Sequence, residues 1–133
     1  MIVLDTNIVL DLFVFADPQA RPLKLALAQR QFQWLATQPM REELTRVLAY
    51  PKIMSRLASC SLTASEVLMQ FDVQTHRVDV APKAKFTCRD LDDQKFIDLA
   101  VAHKALLLSK DNAVLCMTKR LLALEVRVQT AIN

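Results

Sequence analysis

Glycine is absent from all 133 residues, where average usage of about 7 % would place roughly nine. P-loops, dinucleotide-binding turns and nucleophile elbows need glycine at fixed offsets, because the backbone must turn tightly or approach phosphate closely. None of the three is encoded here. Cysteine is sparse and scattered: Cys60, Cys88 and Cys116 form no C-x-x-C pair, and only His76 and His103 stand beside them as nitrogen ligands. No zinc framework is spelled out, and the thiols read as reduced, in a cytoplasmic protein. Long apolar runs are missing too. Asp5 and Asp11 interrupt the apolar N-terminus, no basic segment precedes it and no small-residue cleavage site follows, so neither a signal peptide nor a membrane span is expected. An excess of one charge sign is also lacking: the net charge of +3 names no partner by itself.

What is present is a globular composition, 53 % hydrophobic and 23 % charged, of a length that suits one domain over residues 1–133. Ile2-Val3-Leu4 reads as a strand buried on both faces, and Asp5-Thr6-Asn7 as the opening of a helix over Ile8 to Phe15 that ends at Asp17-Pro18. A helical stretch from Pro22 to Arg30, a strand Phe32 to Ala36 and a helix with Pro39 in its first turn follow, the last carrying Met40, Leu44, Val47 and Leu48. After Pro51 come a short helix over Ile53 to Ala58, a capping box Thr63-Ala64-Ser65-Glu66 opening a helix toward Thr75, and a strand Val78-Asp79-Val80. A basic loop from Pro82 to Arg89 leads into a helix Asp90 to Lys104. The strand Leu106-Leu107-Leu108, a helix from Asp111-Asn112 through Leu124 and a strand Val126-Arg127-Val128 complete the chain. Strands alternating with helices predict a three-layer α/β/α fold with a mainly parallel sheet. Met40, Met54, Met69 and Met117 read as core fillers.

Ligands of open parallel sheets bind outside the carboxyl ends of the strands, and two aspartates fall there, Asp5 after the first strand and Asp111 beyond the Leu106–Leu108 strand. On the helix from Asp90, Phe96, Ile97 and Ala100 follow Asp93 by three, four and seven residues, placing Asp93 on the buried stripe; Asp98, beside Lys95, Gln94 and Ala102, reads as solvent-facing. Glu43 lies three after Met40 and four before Val47, whereas Glu42 aligns with Thr45 and Arg46, so Glu43 is the inward carboxylate. Asp5 and Asp111 could also serve only as helix or turn caps. Four inward carboxylates need a shared cationic partner, and oxygen ligands alone favour Mg2+ or Mn2+ over zinc.

In this order and context, Asp5-Thr6-Asn7, Glu43-Leu44 with Val47-Leu48 and Pro51-Lys52, Arg89-Asp90-Leu91-Asp92-Asp93 with Phe96 and Ala100, and Ser109-Lys110-Asp111 resemble the PIN-domain nucleases, in the branch of VapC-type toxins and related prokaryotic PIN proteins. The resemblance implies a metal-dependent endoribonuclease leaving a 5′-phosphate and a 3′-hydroxyl, with Asp5, Glu43, Asp93 and Asp111 around one or two Mg2+ or Mn2+ ions. Thr6, Asn7 and Ser109 would orient the carboxylates or the substrate. It also implies an antitoxin partner and a homodimer. One position departs from the pattern: relatives often carry a second acidic residue two positions after the last metal-site aspartate, where this chain has Ala113. That leaves open a second reading, a PIN-like RNA-binding or assembly module with little catalysis, and, from another class, a phosphoryl-transfer domain of the receiver type.

With those four carboxylates committed to a metal, seventeen basic residues face ten acidic ones, an excess of +7. Lys83, Lys85 and Arg89 before Asp93, Lys110 beside Asp111 and Lys52 after the Glu43 helix are the candidates for an RNA-backbone groove.

Overall fold

The computed structural model describes residues 1–132. Its centre is the strand β1 (Ile2–Leu4), whose three side chains are all buried, as a short apolar run without polar alternation requires when both faces of a sheet are covered. Four more strands complete an all-parallel sheet in the order β3-β2-β1-β4-β5: β2 (Trp34–Ala36), β3 (Thr75–Arg77), β4 (Leu106–Leu108) and β5 (Val128–Gln129). Helices flank it: α1 (Thr6–Phe13), α2 (Arg21–Ala28), α3 (Gln38–Leu48), α4 (Pro51–Ser59), α5 (Ala64–Gln74), α6 (Gln94–His103), α7 (Asn112–Leu115) and α8 (Thr118–Leu122). The three-layer α/β expectation holds, with every strand pair parallel.

The chain first moves outward from β1 through β2 to β3, then returns to lay β4 on the other side of β1. That reversal is a topological switch point, where parallel sheets open a crevice at the strand ends. Leu4 pairs with Leu108 in register, and the Asp5 amide donates to the Leu108 carbonyl at 2.9 Å. The residues after each strand therefore emerge side by side.

On the core side, Trp34 of β2 is buried, stacked on Phe13 at 5.9 Å between ring centroids and edge-on to Phe71 at 5.4 Å. This locks α1 and α5 over the same strand. Thr63 and Glu66 form the expected capping box at the start of α5.

The structure departs from the sequence reading in several places. The strand expected at Val78–Val80 lies three residues earlier, because α5 stops at Gln74 and its terminating Thr75 goes directly into extended pairing opposite Trp34. As a sheet edge, β3 needs no apolar residues; Val80 is exposed. The strand read at Phe32–Ala36 begins only at Trp34. The helix expected through Leu124 breaks at Cys116-Met117, where the Met117 amide reaches back to the Val114 carbonyl in a tighter turn. The break lets Val114, Met117 and Leu121 all bury. Val126 ends that segment by bonding Leu121, so β5 starts at Val128. Met40 and Met117 fill the core as expected, whereas Met54 and Met69 are exposed. Asp98 is not solvent-facing: it accepts from the Ala84 amide and the Gln94 side chain, both at 2.8 Å, and ties the 84–88 segment to α6.

The missing glycine leaves a signature in the backbone. Ala16, Arg30, Ser61, Lys104 and Glu125 all have φ between 49° and 65°, each just past a helix, where glycine ordinarily occupies the left-handed position. Two of them, Lys104 and Glu125, are joined by an ion pair.

Candidate metal centre

Strand and helix termini converge on the β1/β4 crevice. Asp5 follows β1 and is buried; its carbonyl accepts the Ile8 and Val9 amides of α1, but its carboxylate makes no capping bond to that helix. Asp111 opens α7 and uses one oxygen to accept the Ala113 amide at 2.9 Å. Asp93 sits at the turn into α6; it is 7 % exposed, makes no capping bond, and its Oδ2 is buried without any hydrogen-bond partner. One carboxylate oxygen from each of the three lies within 4.8 Å of the others. Asp111 thus caps and clusters at once, while the carboxylates of Asp5 and Asp93 cap nothing.

Electrostatics in this cluster are unfavourable as it stands. Burial pushes the Asp5 carboxyl up to about 6, with the charges of Glu43 and Asp111 adding to the shift and the Ser109 hydroxyl opposing it. Burial is also the largest cause holding Asp93 well above the usual carboxylate range, followed by a hydrogen bond with Asp111 and the charges of Asp5, Asp111 and Asp90. Among the described residues, no ammonium or guanidinium forms an ion pair with any of the three aspartates.

The other sequence-predicted residues fall around this trio. Ser109, fully buried, donates to Asp5 Oδ2 at 2.6 Å and accepts the Asp111 amide at 3.0 Å. Asn7 Oδ1 accepts the Lys110 amide at 3.3 Å, and buried Thr6 donates to Glu43. Helical phase separates the two glutamates as expected, Glu42 being exposed and Glu43 half-buried. Glu43 stands outside the close trio: its oxygens are taken by Thr6 and by Lys95, the latter at 2.7 Å.

Among the basic residues, Lys83, Lys85 and Arg89 are exposed along the irregular segment before α6. Lys83 bonds the Ala84 carbonyl and Lys85 lies over the Phe86 ring. The segment is docked at Cys88, whose amide donates to Gln94 and whose thiol donates to the Ala113 carbonyl beside Asp111. Lys52 is exposed in the first turn of α4, and Lys110 is paired with Asp11 at 2.5 Å. Sequence reasoning missed three residues of this region. Asp11 is buried against Lys110, Gln94 is buried and braces Cys88, and Lys95 reaches Glu43 across 52 residues of sequence. Only Gln94 carried a local signal, its i, i+4 spacing to Asp98.

An all-parallel α/β sheet with three acidic side chains gathered at its switch point defines a class of site suited to a hard cation and an anionic substrate. Residues 1–113 match the PIN domain, and the chain belongs to that family, whose members are nucleases. Among solved structures it is similar to the crystal structure of VapBC2 from Rickettsia felis bound to a DNA fragment from their promoter, with a TM-score of 0.63 and 17 % identity over 97 % of this chain and 98 % of that one. Comparison with curated protein sequences gives no match. Among the described residues, no helix is long and apolar enough to cross a membrane.

Proposed function

We propose that the protein is a divalent-cation-dependent endoribonuclease, the toxin of a toxin–antitoxin pair, with Mg2+ or Mn2+ as its cofactor. The observation that carries this reading is the buried, unpartnered Oδ2 of Asp93 inside a cluster of three carboxylates. A buried polar atom without a partner costs roughly 1–3 kcal/mol, and three crowded carboxylates repel one another; a cation with oxygen ligands relieves both penalties. The residues present fit such an ion, with Asp5, Asp93 and Asp111 as its holders and Glu43 bordering them.

When bound, the ion supplies a water of lowered pKa and neutralises charge on the phosphodiester. The chain's own groups do the rest. Ser109 fixes the Asp5 carboxylate and the Asp111 backbone together, Thr6 orients Glu43, and Asn7 holds the backbone at Lys110. Lys83, Lys85 and Arg89, exposed on the segment braced beside Asp111, suit contacts to an RNA backbone; Lys52 and Lys110 extend the same basic set. The similarity to a VapBC structure supports an antitoxin partner, a homodimer is carried by the family resemblance, and a cytoplasmic location by the three free cysteines.

Calorimetric titration with Mn2+ and Mg2+, run on the wild type and Asp93→Asn beside an RNA cleavage assay, tests the reading. Uptake and cleavage are expected in the wild type and lost together in the variant, with 5′-phosphate ends on the products. Buried Ala113, where relatives often carry a second acidic residue, favours the alternative of an RNA-binding module. RNA binding without cation uptake or cleavage would establish that alternative.

A further inference from the structure

Glu43 reaches the edge of the aspartate trio but is not free to join it. Its Oε2 accepts the Thr6 hydroxyl, and its Oε1 lies 2.7 Å from the Lys95 ammonium. Lys95 is anchored in turn: its ammonium also donates to the Asp92 carbonyl and sits 5.0 Å from the centroid of the Phe96 ring. The two side chains are 22 % and 15 % exposed, which weakens solvent screening of the pair. The clamp therefore begins two residues after Asp93, on the helix that Asp93 opens.

Resting on the reading of Asp5, Asp93 and Asp111 as a cation site, we propose that Lys95 is a positioning residue that withholds Glu43 from the cation. The chain then binds one divalent ion through three aspartates and keeps a fixed ammonium on the Glu43 side. A site in which all four carboxylates were free would be more negative and could recruit a second ion there. The Ala113 position agrees with this, because it offers no side-chain oxygen for a further ion.

The proposal separates two kinds of glutamate. A ligand loses affinity for the ion when it is neutralised; a carboxylate already satisfied by lysine does not. Mn2+ titration by calorimetry on purified Glu43→Gln, Lys95→Arg, Lys95→Met and the Lys95→Met/Glu43→Gln double variant reads this directly, with thermal melts to establish that each is folded. Glu43→Gln and Lys95→Arg are expected to stay within about twofold of wild-type Mn2+ affinity at one ion per chain. Lys95→Met, which leaves Glu43 charged and unclamped, is expected to bind about tenfold more tightly or to take up a second ion. The double variant should return to wild-type behaviour, the signature of coupling between the two residues.

A loss of about tenfold or more in Glu43→Gln, or a folded Lys95→Met with unchanged affinity and stoichiometry, overturns the proposal. If the wild type takes up no Mn2+ but Lys95→Met does, the clamp stands and the cation-dependent reading of the natural protein falls. If neither takes it up, both fall. Should Lys95→Met not fold, Glu43→Gln alone decides.

Discussion

Ser109 and Asp5, 104 residues apart in sequence, are joined by a 2.6 Å hydrogen bond, and the same Ser109 oxygen accepts the Asp111 amide. One hydroxyl thus sets the spacing of two of the three clustered carboxylates. Ser109→Ala is expected to lower divalent-cation affinity by about tenfold and to destabilise the fold by ~1.5–3 kcal/mol, the range for a hydrogen bond to a charged group. Parallel Mn2+ titrations and urea melts check both; unchanged affinity would show that Asp5 needs no such orientation.

Asp93→Asn replaces one of the three crowded carboxyl groups by a neutral amide. In chelator-treated protein it is expected to raise the thermal midpoint, while abolishing the further rise that Mn2+ gives the wild type. Differential scanning with and without Mn2+ measures the two effects in a single series. A variant that still gains stability from Mn2+ would remove Asp93 from the ligand set.

Stability of the cation-free protein should depend on pH in a defined direction. Asp5 holds its proton more tightly in the folded chain, at about 6 against an ordinary 3.8, and Asp93 is displaced the same way. The folded state therefore binds more protons than the unfolded one, and stability falls as pH rises from about 4 through 6, by on the order of 3 kcal/mol for Asp5 alone, with Asp93 carrying the fall to higher pH. Asp72, held low by Arg41, works in the opposite sense, but only below its ordinary range, so urea melts above about pH 4.5 isolate the aspartate cluster. Excess Mn2+ should flatten the profile. A cation-free profile that rises with pH would contradict the buried-carboxylate account.

Lys83 and Lys85 are both exposed, so Lys83→Ala/Lys85→Ala tests the basic segment with little expected effect on folding. RNA affinity should fall, and the slope of log affinity against log salt should shrink by about 1.4, the value for two phosphate contacts on a single strand. An unchanged slope removes both residues from the groove.

The parts of the site that follow local rules were legible in the chain. Asp5 and Asp111 stand after Ile2-Val3-Leu4 and Leu106-Leu107-Leu108, runs whose burial needs no knowledge of the rest of the fold. Asp93 follows from helical phase against Phe96, Ile97 and Ala100. What was not legible depends on pairing across the sequence. The edge strand β3 is Thr-His-Arg, because an outer strand is held by backbone bonds to β2 rather than by apolar side chains. Lys95 entered the sequence reading only as a neighbour of Asp98; its partner Glu43 is 52 positions away, and no periodicity connects them. The break between α7 and α8 was equally hidden, since Val114, Met117 and Leu121 keep a helical spacing across it.

The five left-handed helix ends without glycine bear on the denatured chain as much as on the folded one. A non-glycine residue in that conformation costs about 1–2 kcal/mol, yet each glycine avoided also stiffens the unfolded ensemble and returns about 0.4–1 kcal/mol. Arg30→Gly, at an exposed position with φ 57°, should accordingly raise stability by ~1 kcal/mol or less, as a urea melt would show. Larger gains would mean that the native backbone is strained beyond its local geometry. A chain built this way searches a smaller conformational space before it folds, and accepts local tension at five turns in exchange for that narrower search.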